Sequence, residues 1–241
     1  MKINKEKCTG CGICLDYCNV DAISVLNEVA QIDSDVCVEC WVCYRNQVCP
    51  FDCFEPETLE TYGDVFKHVL SDPIITSKGT GIPGRGTEEA KTNDVTGRFA
   101  KDVYGICIDM GRPGVGAYLR DVEKVAVAVA AAGVRFASPK ETPLSGVMTD
   151  VRSGKIRDDI LDVHVMSVII EGTVKREKLG PVLEAIKSVE KRIDTVFSLG
   201  IVSMLSDDDD RPLMQTLAQH GIALPNRGKV NVGLGRPLFS G

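Results

Sequence analysis

No apolar run in this 241-residue sequence is long enough to cross a bilayer. The longest, VAVAVAAAGV at 125–134, is about half of what a membrane helix needs. The opening MKINKEKCTG carries charge in place of an apolar signal core, so a soluble, cytoplasmic chain is expected. A basic excess is missing as well. Lys and Arg number 28 against 34 Asp and Glu, a net charge of −6, which argues against nucleic acid as the main partner because phosphate binding needs a positive footprint. The three histidines, His68, His164 and His220, are scattered through the chain with no acid or nucleophile beside them in a recognisable pattern, so no catalytic dyad is expected. With 44% hydrophobic and 26% charged residues, the composition is that of a globular protein.

Cysteine is nearly absent from the last three-quarters of the chain, where Cys107 stands alone, yet nine cysteines crowd between Cys8 and Cys53. Without a secretion signal, thiols at that density are read as metal ligands before disulfides. They also form an internal repeat. CTGCGICLDYCNVDAI (8–23) aligns with CVECWVCYRNQVCPFDCF (37–54), the first three cysteines offset by 29 residues and the fourth by 31. In this alignment Cys53 falls opposite Ala22, so Cys53 is the extra thiol, a small buried residue by expectation, and Cys43 and Cys49 belong to the ligand set. Zinc is disfavoured, because it takes four ligands per site, usually as two separated pairs, and interlocked C-x₂-C-x₂-C runs fit that poorly. Cys107, in VYGICIDM, reads as a buried strand residue.

The spacing resembles that of the two-cluster bacterial ferredoxins, whose signature is C-x₂-C-x₂-C-x₃-C-P. The resemblance implies two [4Fe–4S] clusters with the fourth thiolate exchanged between repeats. One would be held by Cys8, Cys11, Cys14 and Cys49, the other by Cys37, Cys40, Cys43 and Cys18. Two departures stand out. Asn19 occupies the place of the usual proline, and five residues rather than three separate Cys43 from Cys49. Residues 1–60 hold eleven acids against four bases, a net −7, which suits steering toward a basic redox partner.

The expected fold class is α+β: a ferredoxin domain over 1–60, a Gly/Thr-rich linker or functional loop over 61–100, and a split β-α-β, ferredoxin-like sandwich with a C-terminal extension over 101–241. The last region reads as strand (DVYGICIDM), helix (GAYLRDVEKVAVAVAAAG), strand (VRFAS), then after a long connection strand (DVHVMSVIIEGTV), helix (KREKLGPVLEAIKSVEKRI) and strand (DTVFSLGIVSML). In the first helix Leu119, Val122, Val125, Ala126 and Val129 form one apolar stripe.

The stretch 77–98, with Lys78, Arg85, Lys91 and Arg98 among glycines, reads as a linker or as an anion cradle; it matches neither a P-loop nor a dinucleotide fingerprint. GRPGVG (111–116), echoed by GLGRP (233–237), reads as turn punctuation or as a helix-N-terminal anion site. Asp207–Asp210 reads as a cap on the helix RPLMQTLAQHG. GTGIPGRGTEEAKTNDVTGR, DMGRPGVG and GLGRPL together resemble the iron–sulfur portion of 6-hydroxynicotinate reductase-like proteins, which implies electron supply to a heteroaromatic-ring reductase. Three functions are compatible with these features: an electron-transfer protein or subunit serving a redox partner or catalytic subunit, a reductase with its own site in the Gly-rich loops, and a redox- or ligand-sensing regulator. The C-terminal sheet is also a candidate surface for homo-oligomer formation.

Overall fold

In the computed structural model, which describes residues 1–76, 98–204 and 211–223, the chain is a mixture of helix and sheet. The cysteine-rich region is built from short pieces: β1 (Lys2–Ile3), the hairpin β2 (Ile23–Leu26) and β3 (Val29–Ile32), one turn of helix α1 (Val42–Arg45), and β4 (Phe54–Glu55), which pairs back on β1. So few regular elements bury little apolar area, and thiols contribute to what core there is. Two small clusters form, one around Cys14, Ile23, Ala30, Val48 and Phe54, the other around Val20, Ala22 and Val38.

Helix α2 (Tyr62–Ser71) follows. The linker or loop expected over 61–100 therefore begins as a helix instead. The side chain of Thr61 accepts from the Asp64 N–H at 3.1 Å, an N-cap that fixes the first turn. Gly63, Phe66, Lys67, Leu70 and Ser71 are buried along one face. The remainder of that stretch, with Lys78, Arg85 and Lys91, lies outside the described residues, as do Asp207–Asp210 and 233–237.

The larger core belongs to a four-stranded antiparallel sheet. Its long strands are β5 (Val103–Met110), β11 (Val168–Lys175) and β12 (Phe197–Val202), with the short β7 (Arg135–Phe136) at one edge, in the order β12-β5-β11-β7. Between β5 and β7 the chain passes through β6 (Ala117–Tyr118) and α3 (Leu119–Ala132). The connection from β7 to β11 carries the hairpin β8 (Met148–Asp150) and β9 (Lys155–Ile156), then β10 (His164–Val165), which pairs with β6. Helix α4 (Leu179–Val189) joins β11 to β12, and α5 (Arg211–Gln219) lies beyond. The strands joined by α3 are separated by β11, and those joined by α4 are separated by β5. Each β-α-β unit thus leaves a gap that the other fills.

Alternation explains the burial. Tyr104, Ile106, Ile108 and Met110 on β5, with Val168, Ile170 and Val174 on β11, share one core with the helices. Leu119, Val122, Val125, Ala126 and Val129 of α3 are all fully buried in it. Helix α3 ends at Gly133, whose φ of 113° is left-handed; a Cβ there would sit 2.8 Å from the Lys178 side chain. Cys107 is a buried β5 residue on the opposite sheet face.

Candidate metal centre

Three cysteines separated by pairs of residues need a loop that turns sharply at each step. In the first repeat Gly10 (φ 67°) and Gly12 (φ 76°) supply left-handed turns, and Gly10 lies so close to the Glu28 carbonyl that a side chain would collide. The second repeat makes the same turns without glycine. Glu39 (φ 52°) and Trp41 (φ 57°) occupy the matching positions, and Asp21 (φ 54°) matches Asp52 (φ 51°) after the fourth cysteine. A non-glycine residue in this conformation costs about 1–2 kcal/mol. Local bonding offsets it: the Glu39 carboxylate accepts from Trp41 Nε1 at 2.9 Å and from the Met1 amine at 2.9 Å, while the Trp41 ring packs on His68 at 4.4 Å.

The two loops line two hollows. Cys8, Cys11, Cys14 and Cys49 ring the first, with Cys53 beside them; Cys18, Cys37, Cys40 and Cys43 ring the second. Among the described residues, no three or more His, Cys, Asp or Glu side chains converge as ligands of a single metal ion. The rest of each lining is mainly apolar, Ile3, Ala30 and Phe54 with Thr9 in one case and Val20, Ala22 and Val38 with Glu39 in the other.

The electrostatics agree. Burial pushes the Cys37 thiol up to about 12, helped by the Glu39 carboxylate, and pushes Cys43 to about 12, helped by Cys40 and Cys37. Cys53 reaches about 12 through burial and the neighbouring Cys49. For Cys49 burial also raises the pKa, but the amides of Cys53, Phe51 and Asp52, together with a hydrogen bond from the Cys53 thiol, outweigh it and hold the thiol below its ordinary value. Cys37, Cys40 and Cys43, thiols that burial keeps from ionising alone, are the kind that cationic iron stabilises as thiolates, so the donor set of the second hollow fits an iron–sulfur core. Amides are already directed at sulfur: Ala30 N–H donates to Cys8 Sγ at 3.3 Å and Ala22 N–H to Cys18 Sγ at 3.1 Å. Asn19, in the place of the family's proline, gives its side chain to Cys40 as a hydrogen-bond partner.

A pH test follows for the iron-free chain. Unfolded, the thiols ionise near the ordinary value of 9, whereas the folded chain retains protons on Cys37 and Cys43 up to about 12. The folded state then binds more protons in that window. Its stability is fully present below about pH 8.5 and falls as pH rises toward 12. Denaturant midpoints of the chelated, reduced chain should therefore drop steadily over that range; a flat or rising midpoint contradicts the burial.

Several residues sit where the sequence did not suggest. His68 lies 3.8 Å from the Asp72 carboxylate and its Nδ1 faces the Glu39 carbonyl at 2.7 Å; His220 Nδ1 is 2.6 Å from Glu184. The reading that these histidines have no acid partner is corrected, although Asp72 is held chiefly by Arg45, and the His220–Glu184 pair lies on the helices away from both hollows. His164 bridges regions: Nδ1 faces the Val36 carbonyl at 2.6 Å and Nε2 the Val115 carbonyl at 3.2 Å. Sequence separation hid it, since Val36 lies 128 residues away. Arg98 pairs with Glu141 at 3.1 Å, and Arg112 with Ser198 and the Asp109 and Gly111 carbonyls. In GRPGVG the amide of Gly114 donates to the Asn19 carbonyl, and those of Val115 and Gly116 to Arg112. The first amides of α3, Leu119 and Arg120, donate to Val163 and Leu161. With these donors engaged, the segment is a docking turn against the cysteine-rich region, and the anion-site reading of it is set aside.

Fold and site together define an iron–sulfur protein. Residues 1–24 match the 4Fe-4S binding domain family. The chain is 40% identical over 53 residues to Ferredoxin-2 of Chlorobaculum tepidum, covering 84% of that protein and 20% of this one. It is 29% identical over 105 residues to Ferredoxin Fdx2 of Sorangium cellulosum, covering 94% of that protein and 40% of this chain. It is also 39% identical over 57 residues to an uncharacterized ferredoxin-like protein of Haemophilus influenzae, covering 66% of that protein and 22% of this chain. No solved structure matches it. The chain belongs to the ferredoxin family.

Proposed function

We propose that this chain holds two [4Fe–4S] clusters, one on Cys8, Cys11, Cys14 and Cys49 and one on Cys37, Cys40, Cys43 and Cys18, and passes low-potential electrons to a partner oxidoreductase in the cytoplasm. The observation that carries it is the lining of each hollow by one complete set of four cysteines, the fourth drawn from the other repeat. Each cluster supplies storage for one electron at a time. The chain's residues set how readily that electron is held. Amides of Ala30 and Ala22 donate to cysteine sulfur, and the Glu39 carboxylate stands 3.6 Å from Cys37 Sγ. The resemblance of the glycine-rich segments to 6-hydroxynicotinate reductase-like proteins supports a heteroaromatic-ring reductase as that partner.

Anaerobically purified chain should contain about eight iron and eight sulfide, the content of two cubanes. Reduction should give the spectrum of two interacting paramagnets. A content near four, or zinc as the dominant metal after reconstitution, overturns the assignment.

A further inference from the structure

The two hollows are covered very differently. Around the first, Thr9, Cys11, Ile13, Pro50 and Phe51 are exposed, Ile13 and Phe51 at 45% and 47% of their surfaces. Ile13 comes from the first repeat and Phe51 from the second, yet both line one hollow, so they form a patch and not two scattered side chains. Exposed acids flank it. Asp16 lies on the same turn as Ile13, and Asp52 follows Phe51. The neighbouring cation Lys7 is tied to the Asp52 carbonyl at 3.3 Å.

Around the second hollow only Tyr17 is exposed among the lining residues. The rest of the chain closes over it. His68 of α2 packs on Trp41, Lys67 donates to the Ser34 carbonyl at 3.2 Å, His164 meets Val36, Gly114 meets Asn19, and Met166 packs against the Val20, Ala22 and Val38 cluster. Electron tunnelling falls off exponentially with distance, so a separate protein exchanges electrons fastest where cover is thinnest.

We propose that the rim of the first hollow is the docking face for a separate one-electron carrier protein, apolar at the centre of its contact and positively charged around it. This rests on the two-cluster reading and says which of the two sites faces outward. In the exchange one protein loses one electron and the other gains one; no bond forms or breaks and no proton moves. Charge sets the occupant. The patch is apolar with Asp16 and Asp52 at its border, in a region of net −7, and a second copy of this chain would bring like charge against it.

The test uses the cluster-loaded chain and cytochrome c, a small basic one-electron protein, as the probe. Two readouts are taken: the rate of cytochrome c reduction by the reduced chain, and the affinity of the oxidised chain for redox-silent zinc-substituted cytochrome c. Asp16→Asn with Asp52→Asn should lower both about fivefold at low salt, and the difference should vanish at high salt. Asn is used because it tolerates the left-handed backbone of residue 52. Ile13→Lys should lower both as well. The control, Asp33→Asn with Asp35→Asn, makes the same change of charge beside the second hollow and should shift neither by more than about twofold. Equal or larger loss in the control, with about eight irons in every variant, overturns the docking face. A dimer of the wild type that Ile13→Lys dissociates overturns it too, by giving the patch to self-association. An iron content near four instead overturns the two-cluster reading, a separate outcome on the same samples.

Discussion

Cys49→Ala is expected to cut the iron content from about eight to about four per chain, while Cys53→Ala leaves about eight. The two thiols stand four positions apart and line the same hollow, so proximity alone does not separate them. The repeat does. Cys53 corresponds to Ala22, and both positions are buried, at 1% and 3% exposure. Their backbone roles also match: Ala22 N–H donates to Cys18 Sγ, and Cys53 N–H acts on the Cys49 thiol in the same way. An alanine at 53 keeps that amide and removes a thiol whose ionisation burial opposes. An alanine at 49 removes the thiol toward which three amides are directed. The loss should fall on the hollow bounded by Cys8, Cys11 and Cys14, in the other repeat, which iron analysis with the reduced-state spectrum will separate. Equal iron loss in both variants rejects the assignment.

His164→Leu should lower stability by about 2–4 kcal/mol, since it leaves the carbonyls of Val36 and Val115 facing an apolar side chain. His164 is 5% exposed, so water does not readily replace the ring. Gly116 lies against the same imidazole so closely that a Cβ there would collide with it, and Tyr118 stacks on it at 4.5 Å. The effect should be concentrated at the contact between the cysteine-rich region and the sheet. Amide exchange should rise at residues 34–38 and 111–116 before it rises in β5 or β11. A denaturation midpoint unchanged from wild type would mean that this contact contributes nothing to the fold.

The cysteine repeat and the apolar stripe of α3 were legible because each is a local pattern. Spacing along the chain is all that is needed to see them. Helix α2 was written just as locally, in Thr61 three residues before Asp64 and in Gly63, Phe66, Lys67 and Leu70 along one face. It was obscured because a buried Lys and Ser stand where an apolar stripe is expected, and because the glycine-rich stretch follows at once. The strand read over 162–174 is two strands, β10 and β11, interrupted at Met166 and Ser167, where the chain leaves its pairing with β6 to join the main sheet. No propensity marks that switch; it is decided by which strand is next door. The left-handed turns at Glu39 and Trp41 were hidden for a related reason. Glycine announces such a turn, whereas Glu39 and Trp41 sustain it through Met1 and His68, partners found only once the chain is folded.

The proposed sharing of the fourth cysteine between repeats can also be read in polymer terms, as two nested clips on one strand. A core on Cys14 and Cys49 closes a loop of 35 residues, and one on Cys18 and Cys37 closes a loop of 19 nested inside it. Closing the outer loop removes more freedom from the unfolded chain than closing the inner one, by the slow logarithmic growth of loop entropy with length. Once either clip is fastened the other's ends are already near each other, so the second fastens at a smaller entropic cost. Iron uptake by such a chain should be cooperative, with few half-loaded molecules at intermediate iron. A peptide that stops at residue 24 contains only three of the four cysteines of its own hollow, and should not acquire that cooperativity however much iron it is given.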